Sequence, residues 1–507
     1  MMDRRAFLAS GTAALAVPSP APPRFRAADA RWQAAYDKAL AVLDGNVRVL
    51  PSYAKPVLIE GAAYAGIWME CGPNEALVYR RFRPDVARNS HTAFFDLQKD
   101  DGQIPYSVKA AGPGFGQIQM VVPIAATAWE LARATGDDAL LAQAYDVCAR
   151  WDGWLLRYRN TRGTGLTEGF CTYDTGHDNS PRWAGIPPQC PNKDARTFPP
   201  GLGLPRLCPD LSATTYGARM ALAAMAKALG RDDGPWLESA ETMRKAILDR
   251  LYVAEDAAFY DLDADDRFVR VRTDILSRVC GEHVVDQALF DDLWRRQIHD
   301  PKAFWTAYPL PSVALDDPAF VRPIPSNSWG GAAQALTALR ASRWMEHYGR
   351  PAEFARMMAA WCKALMADMG FRQQLDPLTG AFTQIGETGY SPAALVMMDY
   401  TWRLCGVLET ADELWWNIRP GHPAAGSFHL PCDGGGTAEM VYGRRGADLR
   451  LAGKAVARID GTARLVTDKQ GRPLAMVGID ETAQTVRLKL PGHRRPFRLK
   501  PNQRIQL

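Results

Sequence analysis

Helical periodicity is the feature of this sequence that most constrains its fold. From about residue 29 to residue 408, apolar residues recur at three- and four-residue spacing in one segment after another, a pattern typical of amphipathic helices that bury one face. The pattern predicts helices over residues 30–43, 119–134, 138–157, 212–229, 235–251, 284–297, 332–347, 352–369 and 391–404. Less regular stretches over 74–97 and 273–279 bring the expected number to about twelve.

The turns between these segments suggest how the helices are arranged. Three pairs of predicted helices are joined at Gly136, Gly230 and Gly349, and glycine ends a helix at little cost because it accepts the left-handed conformation. The repeat of about 34 residues that marks tetratricopeptide solenoids is not visible. The sequence therefore predicts a mainly α fold, an (α/α)₆ toroid of six helical hairpins over residues 29–410.

The pattern changes after residue 411. Short runs typical of strands, separated by Gly, Asp and Pro, occupy residues 428–430, 438–442, 448–451, 455–459, 463–466, 474–479 and 485–490, and 467–471 has the composition of a hairpin turn. We expect a small antiparallel β-domain over 411–507. From Met440 onward this region holds 15 Lys or Arg against 5 Asp or Glu. The excess cations either discourage edge-to-edge aggregation or contact an anionic polysaccharide or membrane surface.

Composition and the first residues bound the class of protein. A chain of 507 residues, 47% hydrophobic and 23% charged, is typical of a soluble protein of two or three domains and excludes general disorder. It has no apolar run of about 18 residues, so we expect no transmembrane segment. Arg4 and Arg5, followed by Ala-Phe-Leu, are similar to a twin-arginine export signature, with a small-residue cleavage site at 19–21. We expect residues 1–28 to be an export signal and linker, and the protein to be periplasmic or secreted; an ordinary amphipathic N-terminus is the alternative.

The cysteines suggest one disulfide and no metal site. Nine cysteines are an odd number, so at least one thiol stays unpaired within the chain. In an oxidising compartment we expect Cys190 and Cys208 to pair, because they bracket the Pro- and Gly-rich segment 191–207, which is predicted to overhang the active site. No Cys–His spacing is typical of zinc, and we expect neither a metal nor a cofactor.

The segment 173–183 carries the strongest chemical signal. It contains Asp174, Asp178, Asn179 and Trp183 but no amphipathic period, and its Gly and Pro residues favour a loop, where catalytic groups are often found. A carboxyl group beside a tryptophan has its pKa raised by desolvation, as a general acid requires. An Asp-Asn-Ser turn with a structural tryptophan is the alternative interpretation.

Residues 174–181, which read Asp-Thr-Gly-His-Asp-Asn-Ser-Pro, resemble the E-S-G-x-D-N-S-P segment of glycoside hydrolase family 63 and its mannosylglycerate- and glucosylglycerate-hydrolase relatives, and more distantly the trehalases. The resemblance covers about residues 68–404 and implies an (α/α)₆ glycosidase with Asp178 as general acid. Weaker similarities lie at 68–70 (W-x-W-D, with Glu70 in place of Asp), 117–123 (Q-x-P), 375–380 (Y-D-P-x-T-G) and 389–391 (F-S-W).

One position departs from the family pattern. The resemblance places the general base at the Glu of E-x-Y-D-P, and this chain has Gln373 there; a neutral amide cannot take a proton from water. Glu387, flanked by glycines in the same loop, is the base that we predict, and Glu70 and Glu168 are the alternatives.

The remaining predictions concern the substrate, which we expect to be a carbohydrate and not a nucleic acid. The predicted substrate-binding residues are Trp68, Glu70, Gln119, Asp174, Asn179, Trp183, Trp329 and Gln373. Trp305 also lies near a loop, although core packing remains an alternative for each tryptophan.

The preferred function is an inverting glycosidase acting on an α-linked sugar, with its two carboxyl groups about 6.5–9.5 Å apart. One alternative is a polysaccharide lyase that uses His177, Asn179, Arg182 and Tyr173. The other is a non-catalytic carbohydrate-binding protein, which Gln373 makes plausible.

Overall fold

The computed structural model describes residues 21–384, 386–422, 425–490 and 493–507. The twin-arginine motif and most of the predicted cleavage site lie outside these residues. In the described part of the chain, no helix combines the length and apolar character needed to cross a membrane.

The helices follow the predicted pattern over most of the chain. They are α1 Ala30–Asn46, α2 Gly72–Tyr79, α3 Pro84–Phe95, α4 Ile124–Thr135, α5 Asp138–Tyr158, α6 Pro209–Ala228, α7 Gly234–Leu251, α8 Ile275–Gly281, α9 Gln287–Leu293, α10 Ala335–Arg340, α11 Ser342–Met345, α12 Pro351–Asp368 and α13 Ser391–Cys405. Gly136, Gly230 and Gly349 have φ values of 65°, 68° and 67°. The left-handed turns predicted after α4, α6 and α11 are therefore confirmed.

Two predicted helices are shorter than the apolar pattern indicated. The helix predicted over 119–134 begins only at Ile124, because Gln119 has a φ of 41° and Pro123 disfavours helical backbone before it. The helix predicted over 332–347 is interrupted because Ala333 and Gln334 pair with the strand Gln374–Leu375. Apolar periodicity alone cannot register such backbone pairing with a distant segment.

Six helices contact one another in a closed order. Helix α2 packs on α4, α4 on α6, α6 on α8, and α10 on α13, which returns to α2; α8 and α10 are joined where the Thr337 hydroxyl donates to Asp274 Oδ2 (3.0 Å). Helix α13 is buried on nearly all sides, whereas α7 buries one apolar stripe, as expected for an inner and an outer helix respectively. Helices α1, α3, α5, α7 and α12 pack outside this closed set.

The strands form small hairpins among the helices and two larger sheets. They are β1 Arg24–Ala27, β2 Val47–Leu50, β3 Tyr53–Leu58, β4 Gly66–Trp68, β5 Ser107–Lys109, β6 Gly112–Gly114, β7 Glu168–Gly169, β8 Arg206–Leu207, β9 Tyr252–Val253, β10 Ala258–Phe259, β11 Asp261–Leu262, β12 Phe268–Val269, β13 Ala333–Gln334, β14 Gln374–Leu375, β15 Val407–Glu409, β16 Glu413–Ile418, β17 Gly426–Pro431, β18 Thr437–Tyr442, β19 Gly446–Leu451, β20 Lys454–Asp460, β21 Ala463–Asp468, β22 Pro473–Val477, β23 Gln484–Leu490, β24 His493–Leu499 and β25 Arg504–Gln506.

The predicted antiparallel C-terminal region is confirmed. Its larger sheet has the order β1-β17-β18-β19-β20-β23-β24 and its smaller sheet the order β15-β16-β21-β22-β25. Buried side chains such as Phe428, Met440 and Leu488 lie between the sheets. Strand β1 comes from the predicted linker 1–28 and pairs with β17, and β15 begins at Val407, so both ends of the helical region are continuous with this β-structure.

The predicted Cys190–Cys208 disulfide is wrong, because both thiols are free and buried. The Cys190 N–H donates to Gly116 O (3.2 Å), and its sulfur lies beside Cys171 and Asp174. Cys208 instead stands at the start of α6, where its sulfur lies near two carboxylates. The two cysteines that flank the segment 191–207 therefore pack in separate environments and do not tether its ends to each other.

Candidate active site

Asp178 lies in a loop whose shape depends on Gly176. This glycine has a φ of 64°, and a Cβ atom there would lie 1.8 Å from Glu70 Oε2, so a side chain is excluded by both conformation and space. The loop is held from the opposite side because the Trp329 N–H donates to Asp178 O (3.0 Å). The sequence thus places a half-buried carboxyl group on a rigid turn.

The surroundings of Asp178 favour its protonated form. Burial raises the pKa of its carboxyl group to about 7, and the negative charge of Glu70 adds to this effect. A hydrogen bond from the Asn327 side chain opposes it by stabilising the carboxylate. A carboxyl group that titrates near neutral pH can hold a proton and still release it in a reaction, which is what a general acid must do.

A network of amides and one hydroxyl lies next to Asp178. The Gln373 Oε1 atom accepts hydrogen bonds from the Tyr64 hydroxyl (2.9 Å) and from Gln384 Nε2 (3.0 Å). Its Nε2 atom donates to Asn327 Oδ1 (3.4 Å). The Gln373 oxygen therefore already accepts from two donors, and this neutral amide is held in place by the network.

Glu387 lies in the loop before α13, partly buried, with its backbone carbonyl accepting from Arg372 Nη1 (3.2 Å). The negative charges of Glu60, Asp178, Glu70 and Glu387 each add to the effect of burial in raising the pKa of the Tyr64 hydroxyl. Asp178 and Glu387 therefore both act electrostatically on the Tyr64 hydroxyl, which donates to Gln373 in the network next to Asp178.

Buried carboxyl groups lie beneath Asp178. The Glu70 side chain accepts a hydrogen bond from Gln119, and its backbone carbonyl accepts from Arg340 Nη2 (3.0 Å). Glu60 Oε1 accepts from the Tyr390 hydroxyl (2.6 Å). Burial is the main cause that raises the pKa of Glu60 and Glu70, and it raises that of Glu75 to about 8. Among these acids, Glu70 is the one whose negative charge adds to the rise in the Asp178 pKa.

Two of the four residues that a lyase would need, His177 and Arg182, are enclosed in an ion network. Arg182 pairs with Asp210 (2.7 Å) and Asp261 (2.6 Å) and is almost fully buried. His177 Nε2 lies 2.8 Å from Asp274 Oδ1, and burial lowers the pKa of the imidazole to about 4. Neither side chain reaches the surface, so the structure does not support base or uronate-binding roles for them.

The same network makes a stability prediction. Replacing Arg182 with Met should lower the free energy of unfolding by about 3–5 kcal/mol, because it leaves Asp261 as a buried charge without its partner and Asp210 with Arg278 alone. Urea unfolding followed by circular dichroism measures the change. The matched variant Lys55→Met, at an ion pair whose lysine is half exposed, should change it by no more than about 0.5 kcal/mol. Equal effects of the two variants would contradict the prediction.

Several predicted site residues have structural roles instead. Asp174 is fully buried, where it pairs with Arg159 and accepts from the N–H groups of Ile118 and Phe170. Trp183 is 2% exposed and donates to the Thr175 hydroxyl. These environments do not fit the predicted substrate contacts of Asp174 and Trp183.

Three further candidates are also enclosed. Glu168 is fully buried and accepts from the N–H groups of Thr161 and Arg162, so it is not available as a base. Trp329 is packed against His177, and Trp305 is buried in the core. The Trp329 ring therefore does not fit a stacking contact with a sugar.

Trp68, Asn179 and Gln119 remain near the site. Trp68 is partly exposed and makes an edge contact with Tyr64 (5.7 Å between ring centroids). Asn179 is exposed and donates to Asn327 O (2.9 Å). Gln119 contacts Glu70 from the loop that precedes α4. Of these three side chains, Trp68 and Asn179 are accessible to a ligand, whereas Gln119 is buried.

Sequence reasoning missed two residues of this site, Tyr64 and Gln384. Asn327 falls in the segment 325–331, whose Gly- and Trp-rich composition is typical of a helix entry that either lines the mouth of a toroid or caps the helix; the segment is a loop, and the helix begins only at Ala335. Tyr64 carries no local signal because its role depends on contacts with residues more than 250 positions away.

Comparisons with known proteins agree with this geometry. The family model for the mannosylglycerate hydrolase MGH1-like glycoside hydrolase domain matches residues 64–402. A family 63 mannosylglycerate hydrolase from Thermus thermophilus, solved in complex with Tris, superposes with a TM-score of 0.62 at 20% identity, covering 72% of this chain and 99% of that one. Curated protein sequences give no match.

Two other solved structures extend the likeness in fold. The neutral trehalase Nth1 from Saccharomyces cerevisiae superposes with a TM-score of 0.54 at 14% identity, covering 71% of this chain and 80% of that one. An α-L-rhamnosidase from Streptomyces avermitilis, complexed with L-rhamnose, covers 93% of this chain and 42% of its own, at a TM-score of 0.52 and 14% identity. That match therefore includes much of the C-terminal β-region.

The helical fold and a loop-borne acid beside a polar site define a glycoside hydrolase. The chain belongs to the mannosylglycerate hydrolase MGH1-like glycoside hydrolase family.

Proposed function

We propose that this protein is an inverting glycosidase that removes an α-linked sugar from an oligosaccharide or small glycoside. Its active site lies at one end of an (α/α)₆ toroid, and the closed order of contacts among α2, α4, α6, α8, α10 and α13 supports that architecture. The observation that carries the proposal is the Asp178 carboxyl group, held on a rigid turn with a pKa of about 7.

The proposed mechanism uses two carboxyl groups. Asp178 gives its proton to the glycosidic oxygen as the bond from that oxygen to the anomeric carbon breaks. Glu387 takes a proton from a water molecule, whose oxygen attacks the anomeric carbon from the opposite face. The product sugar carries inverted configuration; Glu387 then releases its proton to solvent, and Asp178 takes one up.

The surrounding residues have binding roles in this mechanism. Asn327 and Gln373 hold sugar hydroxyls through their amides, and the partly exposed Trp68 ring offers a face for a pyranose. Asn179 extends this polar surface at the exposed side of the site. The Thermus structures in complex with glucose and with Tris and D-glycerate are of a mannosylglycerate hydrolase, which supports a small α-hexoside as the substrate class here.

A panel of α-linked disaccharides and aryl α-glycosides, incubated with the purified protein, tests the proposal. Release of free sugar from a member of the panel is the expected result. Ligand binding with no turnover across the panel would instead indicate a non-catalytic carbohydrate-binding protein. That alternative is considered because Gln373 stands where the family has its general base.

A rescue experiment assigns the base. Glu387→Gln should be inactive, and Gln373→Glu in that background should not restore the rate, because Tyr64 and Gln384 both contact the oxygen of this side chain. Recovery of activity in the double variant would show that a carboxylate at residue 373 can activate water in place of Glu387, and would contradict the expectation that this side chain is held away from the water.

The pH dependence provides a separate prediction. The catalytic rate should fall as pH rises through about 7, because Asp178 must be protonated to act and loses its proton above its pKa. Glu70→Gln removes a negative charge that raises this pKa, so the alkaline limb of the kcat/KM profile should move to lower pH. An unchanged or upward-shifted limb would contradict this role of Glu70. Glu75→Gln, at a carboxyl group that does not raise the Asp178 pKa, is the matched control.

We also propose that residues 1–28 direct export to the periplasm, on the basis of the Arg4-Arg5 motif. A reporter fused after residue 28 should be exported, and Arg4→Lys/Arg5→Lys should keep it in the cytoplasm. Export that is unaffected by the double substitution would contradict a twin-arginine signal.

A further inference from the structure

The outer face of the larger sheet is strongly basic where β23 and β24 form its edge. Alternate residues Val486, Leu488, Phe497 and Leu499 point inward and are buried. Side chains at the alternating positions of the same two strands are exposed on the opposite face, and these include Arg487, Lys489, Arg494 and Arg498. The strand periodicity therefore places four cations on one surface.

The strand register sets these cations against one another. Lys489 pairs directly with Arg494 on β24 and with Arg458 on β20. Side chains directly opposite each other have Cβ atoms about 4.5–5.5 Å apart, and like charges at such positions destabilise a sheet. This arrangement costs stability unless a counter-charge is supplied.

The chain supplies a counter-charge to only part of this row. Arg458 pairs with Asp448 (2.7 Å) and Asp460 (2.9 Å). Across residues 21–384, 386–422, 425–490 and 493–507, the ion pairs include no carboxylate within 4 Å of Arg487, Lys489, Arg494 or Arg498. These four charges are left for solvent ions or an external anion.

The positive surface continues toward the turn between β18 and β19. Arg444 and Arg445 are exposed in this turn and line an open depression of about 430 Å³, which Val441, Asp448 and Arg458 also line. In the register of the sheet, Val441, Asp448 and Arg458 form one row that runs on to Lys489 and Arg494. The row crosses five strands spaced about 4.8 Å apart.

We propose that this surface, the basic face formed by Arg444, Arg445, Arg487, Lys489, Arg494 and Arg498, binds an anionic polysaccharide whose sugars carry carboxylates. Cations repeated from strand to strand suit an extended polyanion, and guanidinium groups pair with carboxylates through two hydrogen bonds. Membrane association through a surface also needs large apolar side chains to enter the lipid, and Val441 is the large hydrophobic side chain exposed here. The inference does not rest on the proposed hydrolase activity.

Binding of the whole protein to polygalacturonate, measured by isothermal titration calorimetry at low ionic strength, tests this inference. Lys489→Glu/Arg494→Glu should weaken binding at least tenfold, and added salt should weaken binding of the unmodified protein. The control Lys245→Glu/Arg250→Glu makes the same charge change on exposed positions of α7 and should leave binding unchanged. Neither pair should alter hydrolysis of a small neutral glycoside, so the result is independent of the catalytic proposal.

Arg444→Ser/Arg445→Ser provides a second variant in a turn, should the strand substitutions prevent folding. An equal loss in the control pair would show that only net charge matters and would overturn the assignment. So would binding to phosphatidylserine vesicles but not to polygalacturonate, because it would make the basic face a lipid-binding surface.

Discussion

Asp178→Asn should lower the rate of hydrolysis of substrates with poor leaving groups, such as disaccharides, by about 100- to 10,000-fold. The amide cannot give a proton to the glycosidic oxygen, so the departing alkoxide must leave unprotonated. Aryl glycosides with acidic leaving groups need less protonation and should retain more of their rate. Steady-state kinetics on one disaccharide and one nitrophenyl glycoside measures the difference.

The substitution Asp174→Asn is not a suitable control for this variant, because Asp174 holds Arg159 in the core. Asn179→Ala is the better match, since Asn179 is exposed next to Asp178 and has no proton to give. It should change KM more than kcat and should affect both substrates equally. Equal losses on both substrates with Asp178→Asn would argue against its role as general acid.

Glu387→Ala should reduce the rate by a similar factor, about 100- to 10,000-fold, for both substrate types. Water activation is needed whatever the leaving group, so the nitrophenyl glycoside should not be spared. Added azide needs no base and should restore turnover of that substrate by forming a glycosyl azide of inverted configuration. Nuclear magnetic resonance of the azide product checks the stereochemistry.

Glu70→Ala is the comparison for this variant, because Glu70 was the other candidate base that remains next to Asp178. Azide should not rescue it, since Glu70 lies beneath the Asp178 loop with Oε2 against Gly176. Azide rescue of Glu70→Ala and not of Glu387→Ala would show that Glu70, and not Glu387, is the general base.

Most of the helical architecture could be predicted because it depends on local pattern. The one-sided apolar stripe of α7 and the glycines at 136, 230 and 349 specify their elements without reference to distant residues. The break between β13 and α10 could not be predicted in this way, since it depends on pairing with Gln374 and Leu375. The same holds for Cys190 and Cys208, whose spacing in sequence says little about where each thiol packs.

The candidate site was predicted only in part. Asp178 could be proposed from the sequence because it lies in a compact loop segment that resembles a family 63 motif. Asp174 and Trp183 share that motif and were assigned to the substrate, but burial gives them structural roles; a motif of this kind does not distinguish the side chains that support a turn from those it exposes. Tyr64 reaches the site through long-range packing and left no recognisable spacing.

The stereochemistry of the first product tests the central claim most directly. Hydrolysis of an α-linked substrate, followed by proton nuclear magnetic resonance before mutarotation equilibrates the sugar, should show the β anomer appearing first. This result requires a water molecule to attack the anomeric carbon from the face opposite the glycosidic oxygen that Asp178 protonates. Initial release of the α anomer would contradict an inverting mechanism in which Asp178 is the acid and Glu387 the base.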